Sequence, residues 1–253
     1  MRQNLNLSVG ASLGAPPAPV ARPREWGGVG WALLLLAGWI GLLSWLLLGY
    51  KVSLASPLTW LLVWPMTHLY TGLFITAHDA MHGTLAPGRP RLNRGLGTVA
   101  ALLFAFNWFS RLLPRHHAHH RHVATPDDPD FHDGHHPGFL PWLVRFAWHY
   151  VTAWQVLAMA ATYNLLKLAG VAVPNLLLYW IAPAVLATVQ LFYFGTWRPH
   201  RGAHAASNRH HARAQPRHHL WAFLTCYFFG YHYEHHEYPA VPWWRLWRTR
   251  TAD

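Results

Sequence analysis

The chain has 253 residues, 53% of them hydrophobic and only 11% charged, with 16 Trp, a single Cys and a formal net charge of +11. A soluble domain carries about 25% charged residues, so this composition excludes an ordinary soluble protein and points to an integral membrane protein. Cys226 alone can form neither an internal disulfide nor a Cys-ligated iron–sulfur cluster, and no G-x-G-x-x-G is present to hold a flavin or nicotinamide, so redox chemistry would need an external electron donor.

Residues 1–25 are rich in Pro, Ala and Gly without periodicity and read as a disordered tail. The body of the protein is then 26–246, with 247–253 a short C-terminal tail. Apolar runs at 26–49, 58–77, 139–166 and 171–196 approach the roughly 20 residues needed to cross a bilayer. The first shows no small-residue cleavage site and reads as a retained span rather than a signal peptide. The expected fold is all-α: four transmembrane helices plus interfacial or cytoplasmic helices carrying histidines. The run 96–113 is interrupted by Asn107 and Ser110 and is expected to lie at the interface or under the spans. If it crossed, the histidines before and after it would sit on opposite sides. The run 220–229 is too short to cross.

The loops 50–57 and 167–170 contain Lys51 and Lys167, and every Arg lies elsewhere. That asymmetry places both termini and all the histidine elements in the cytoplasm. It assigns the positive charge to topology beside the lipid bilayer, with no nucleic acid as a partner.

The chemistry lies in the 21 His. His78 and His82 are four apart at the end of an apolar run. His116, His119 and His120 spell H-x-x-H-H after the next run, and His232, His235 and His236 repeat it after the last. Residues three and four apart share a helix face, and imidazole ligates Fe, Zn, Cu and Ni. His200 and His204 complete a set of ten candidate ligands. A third triplet, His132, His135 and His136, contains Gly134 and precedes Pro137, so it reads as a loop and a decoy. Ten nitrogens exceed what a tetrahedral zinc takes. Two octahedral ions with open positions could use them all, and two imidazole-bound irons suit oxygen activation.

Of the other polar residues, Asp79 is expected to accept a hydrogen bond from an imidazole. Asp127, Asp128 and Asp130 read as turn formers. Glu234 and Glu237 are expected to pair with Arg or with histidine N–H groups. His117, His122, His210, His211, His218 and His219 are expected around the ligands or in solvent, and Trp243 and Trp244 in an interfacial belt. A non-enzymatic metal transporter would place ionisable groups near mid-bilayer, where only His68 and His149 are candidates.

The words around these histidines carry a resemblance. His78-Asp-Ala-Met-His-Gly83, Arg115-His-His-Ala-His-His120, Asp128-Pro-Asp-Phe-His132, Phe194-Gly-Thr-Trp-Arg-Pro-His-Arg201 and Phe229-Gly-Tyr-His-Tyr-Glu-His-His-Glu-Tyr-Pro239 resemble the bacterial β-carotene ketolases. These belong to the membrane fatty-acid desaturase/hydroxylase superfamily. The resemblance spans about 26–246. It departs at Arg198, where an apolar residue is expected, and at the His- and Arg-rich stretch 205–219. It implies a di-iron enzyme of a bacterial inner membrane using O2 and electrons from a ferredoxin-type reductant. Two hydroxylations at C4 of a β-ionone ring, then loss of water, would convert β-carotene to echinenone and canthaxanthin. A carotenoid hydroxylase or a lipid desaturase of the same superfamily is the nearest alternative.

Overall fold

In the computed structural model, residues 26–250 are described, and those residues form helices and loops with no strand. The expected tail at 1–25, like residues 251–253, lies outside them.

Helix α1 (Gly27–Leu48) leads across a short loop to α2 (Pro57–Met81), which starts on a proline whose missing N–H costs nothing at a first turn. After α3 (Pro90–Leu103) and α4 (Phe109–Arg121) come α5 (Phe139–Tyr150) and α6 (Ala153–Leu168). The long α7 (Val173–His200) follows, then the short α8 (His219–Cys226), α9 (His232–Glu237) and α10 (Trp243–Leu246). Helix α7 contains two π-helical stretches, Leu177–Ile181 and Tyr193–Trp197. Such stretches cluster at functional sites, and the second immediately precedes His200.

Among the described residues three helices, α1, α2 and α7, are long and apolar enough to cross a membrane. The expected third span at 139–166 is instead broken at Val151 and Thr152 into α5 and α6, of 12 and 16 residues. The cause is local. The Thr152 side chain accepts from the Gln155 backbone N–H while the Gln155 side chain accepts from the Thr152 N–H, a capping box that starts a new helix. The run 96–113, expected not to cross, is also interrupted, and the histidines before and after it meet on one side. It is two helices, α3 and α4, joined by a turn in which Ala105 and Phe106 are left-handed, with φ of 52° and 55°.

The side chains show how these pieces stack. Helix α2 packs against α1, α3 and α7. Their shared core includes Leu46, Met66, Tyr70, Leu73, Leu176 and Tyr179, all fully buried. At one end, Asn175 donates to the carbonyls of Leu46 (2.6 Å) and Tyr50 (2.8 Å), fixing the start of α7 beside the α1–α2 loop. Gln155, at the start of α6, donates to Asn107 Oδ1 at 2.8 Å. Helix α6 therefore carries the chain from the Ala105 turn to the side where Lys51 lies. The histidines gather at the opposite ends of α2 and α7.

Replacing Asn175 by Ala leaves the buried Leu46 carbonyl and the half-buried Tyr50 carbonyl without their donor, a loss of about 1–3 kcal/mol. Asn175→Ala should lower the melting temperature of the detergent-solubilised protein by several degrees. Asn175→Asp, which can no longer donate, should be no better. Wild-type melting in both variants would refute this role.

Candidate metal centre

Each histidine reaches the centre for a local reason. His78 and His82 sit four apart on the last turn and cap of α2. The end of α4 presents His116, His119 and His120. The one-and-a-half turns of α9 present His232, His235 and His236, and α7 ends on His200. Glycines permit the close approach. A Cβ at Gly195 would collide with the Phe229 ring, and one at Gly97 with Ala80 and Phe109.

Two four-histidine groups result. His78, His82, His116 and His235 form one, and His119, His200, His232 and His236 the other. In each, the nitrogens lie within 4.8 Å of one another. His120 stands between the groups, its Nε2 3.0 Å from His235 Nε2 and its ring 4.3 Å from that of His236. Of the ten sequence candidates, only His204 falls outside this assembly. Its expected place rested on four-residue spacing from His200, but the helix ends there: Arg201 is extended and Gly202 has φ of 71°. His204 packs beside His211 instead.

The nitrogen separations carry a chemical message. His82 and His116 approach to 2.7 Å, His232 and His236 to 3.0 Å, His78 and His235 to 3.2 Å, and His119 and His236 to 3.2 Å, all Nε2 to Nε2. Hydrogen bonding alone cannot account for all of them. His235 Nε2 meets both His78 and His120, and His236 Nε2 meets both His119 and His232. A neutral imidazole nitrogen has one lone pair or one proton to offer. Ligands at about 2.1 Å from a shared octahedral metal would stand about 3 Å apart, which matches these separations.

The outer nitrogens are arranged to free the inner ones. His119 Nδ1–H donates to Asp128 (3.0 Å), His200 Nδ1–H to the His211 carbonyl (2.8 Å), and His78 Nδ1 faces Asp79 at 3.4 Å. Each contact leaves Nε2 as the lone-pair nitrogen, the usual outer support of a histidine ligand. His200 Nε2 is buried and has no hydrogen-bond partner among the described residues. Burial holds His82 down to about 4 and His120 to about 2. Burial first, and neighbouring imidazoles second, hold His116, His232, His235 and His236 well below the ordinary histidine value. They are neutral at pH 7, the form that ligates. For His119, burial pushes downward, but the Asp128 hydrogen bond and the nearby carboxylates outweigh it and raise the value. The residues present fit a metal site.

Other candidates fall where their chemistry suggests. Glu237 pairs with Arg209 and His210, and Glu234 with Arg250. The triplet at His132–His136 stays apart from the centre, with His135 and His136 exposed against Asp133. Two expectations need correction. Asp128 is no mere turn former: it is buried and binds His119 as well as the backbone N–H groups of Ala124 and Asp130. Trp243 is buried rather than interfacial, because its ring packs on Trp31 and Tyr227 and its backbone N–H donates to Asp79 Oδ2. No spacing rule links Asp128 to His119 or Trp243 to Asp79, so only the fold reveals them.

A cavity opens from the centre into the apolar body. His78, His116, His119 and His232 line one end. Phe74, Phe104, Phe146, Leu191 and Phe229 form its walls, with Tyr150 and Asp130 among its few polar groups.

The family model for fatty acid desaturases matches residues 141–252, which include His200 and the α9 histidines. The chain is 45% identical over 189 residues to a β-carotene ketolase of Paracoccus sp. (strain N81106 / MBIC 01143), covering 74% of this chain and 76% of that protein. It is 40% identical over 225 residues to a zeaxanthin 4-ketolase of Chlamydomonas reinhardtii, covering 87% of this chain but only half of the longer algal protein. A β-carotene ketolase of Haematococcus lacustris is 41% identical over 185 residues, 70% of this chain and 58% of that protein. No solved structure matches.

Bound metal should follow the geometry. In elemental analysis of the purified protein, His119→Ala and His235→Ala should each lose most of their metal. Asp128→Ala should weaken metal retention about 10–100-fold, and His135→Ala should match wild type. Metal loss in His135→Ala, or none in His119→Ala, would overturn the assignment.

Proposed function

The chain belongs to the carotenoid ketolases of the fatty acid desaturase family, and on that premise we propose that it oxidises C4 of a β-ionone ring to a ketone at a di-iron centre. The observation that carries the proposal is the pair of buried four-histidine groups at the end of an apolar cavity. Carboxylates usually hold paired irons in soluble helical bundles. Here nine acids serve the whole chain, and imidazoles take their place. We propose His78, His82, His116 and His235 for one iron and His119, His200, His232 and His236 for the other, with His120 between them and His204 outside.

When bound, the irons supply dioxygen activation, with electrons from an outside one-electron carrier such as a ferredoxin. Each hydroxylation takes one O2, two electrons and two protons, puts one oxygen on C4 and releases the other as water. A second round at C4 gives a geminal diol, which loses water to leave the ketone.

The protein's own part is positioning. Phe74, Phe104, Phe146 and Phe229 exclude water and hold an apolar ring against the histidine end of the cavity. Asp128 and the His211 carbonyl fix the tautomers of His119 and His200. The Tyr150 hydroxyl donates to Asp130 at the cavity wall, keeping a proton within the pocket on a largely apolar surface.

Expression in a β-carotene-producing host should yield 4-keto pigments by chromatography. His119→Ala and His235→Ala should yield none at wild-type protein levels, while His117→Ala, whose ring bonds the Met81 carbonyl, should keep detectable product. Hydroxylated pigment without ketone would instead indicate the hydroxylase reading. A well-loaded preparation should hold close to two irons per chain and little zinc.

The arginine asymmetry supports an inner-membrane topology with both termini and the metal centre cytoplasmic. Reporter fusions at Lys51 and Lys167 should report the outer face and a fusion at Asp133 the inner face. An outer signal at Asp133 would sink this topology.

A further inference from the structure

We propose that Ala105 is the waist of a two-chamber channel, through which the far part of a full-length carotenoid passes into a second apolar cavity. The proposal rests on the carotenoid reading above.

The second cavity lies between α1, the end of α3, and α6. Leu43, Leu102, Phe106, Met159, Leu166 and Trp180 are among the residues that line it, and nothing in the chemistry at the histidines uses it. Ala105 lines both cavities. The turn that carries it is costly. Ala105 and Phe106 are consecutive left-handed residues, a conformation that disfavours any side chain. Strain of this kind persists only where the surroundings enforce it and collects at functional sites. The enforcement is visible: Phe106 N–H donates to Leu102 O, Asn107 N–H to Ala101 O, and Gln155 braces Asn107 from α6. A left-handed pair turns the chain back at this depth and presents a one-carbon side chain between the chambers.

Length supports one continuous occupant. Along α7, Trp180 lines the far chamber and Thr196 the chamber at the histidines. Sixteen helical residues separate them, about 24 Å of axis. A ring presented to the histidines must extend its conjugated chain away from them, and a rigid polyene cannot fold back within one chamber. Both chambers have mainly apolar walls, as such a chain requires.

The test compares β-carotene with one-ring β-apo-carotenals of decreasing length, in wild type, Ala105→Leu, Ala105→Gly and Met159→Trp, with protein level measured in each. Ala105→Leu narrows the waist without changing which residue must be left-handed. Met159→Trp fills the far chamber from α6 without touching the turn. Both should lower β-carotene turnover tenfold or more while the shortest substrate stays within about twofold of wild type. Ala105→Gly should retain β-carotene turnover. Wild-type β-carotene turnover in Met159→Trp would overturn the proposal and leave the far chamber to a bilayer acyl chain. An equal loss on long and short substrates in Met159→Trp would also overturn it. If wild type forms no 4-keto product from any of these substrates, the functional reading itself fails instead.

Discussion

Imidazole nitrogens held about 3 Å apart in a buried site set the terms for the rest of this protein. Neutral rings at that distance cannot satisfy one another pairwise, since two of the Nε2 atoms each face two partners. Protonating them would place several positive charges together in a buried space, which burial strongly opposes. A shared cation resolves both problems. The elements around the site follow from holding these nitrogens still. Helix α2 brings in one pair, α4 and α9 bring in triplets, α7 ends on His200, and Asp128, Asp79 and the His211 carbonyl hold the outer nitrogens.

The second constraint is the membrane. Backbone groups that leave a helix within the hydrocarbon layer must find partners in the protein. The chain leaves helical geometry at the Ala105 turn and at the α5–α6 break, and the two breaks satisfy each other. Gln155 both caps α6 and bonds Asn107, while the last carbonyls of α3 accept from Phe106 and Asn107. This pairing lets α3 and α4 enter and return on the histidine side, so that His78 and His116 meet. A straight crossing by 96–113 would have separated them.

Such an arrangement suits an apolar substrate. The cavity reaches the clustered histidines from the apolar body of the protein. Two polar side chains that line it, Asp130 and Tyr150, are already bonded to each other. Charged residues concentrate on the histidine-rich face, in the stretch from Arg198 to Arg217.

The membrane class, the helical character and most of the histidines that come together were legible in the sequence, because they depend on local facts: the apolar runs, the short polar loops, and histidines three and four apart. His204 was misplaced by the same logic, since spacing counts as geometry only while the helix continues, and it stops at His200. The broken third span and the α3–α4 turn were hidden because apolar composition does not record where a chain turns back. Asp128 and Trp243 looked like a turn former and an interfacial ring, since their partners, His119 and Asp79, come from other elements. The sequence by itself determined which side chains could bind metal. Only the tertiary structure decided that nine of them meet, how they divide into two groups, and which carboxylates and carbonyls turn their nitrogens inward, because those depend on packing between elements far apart in the chain.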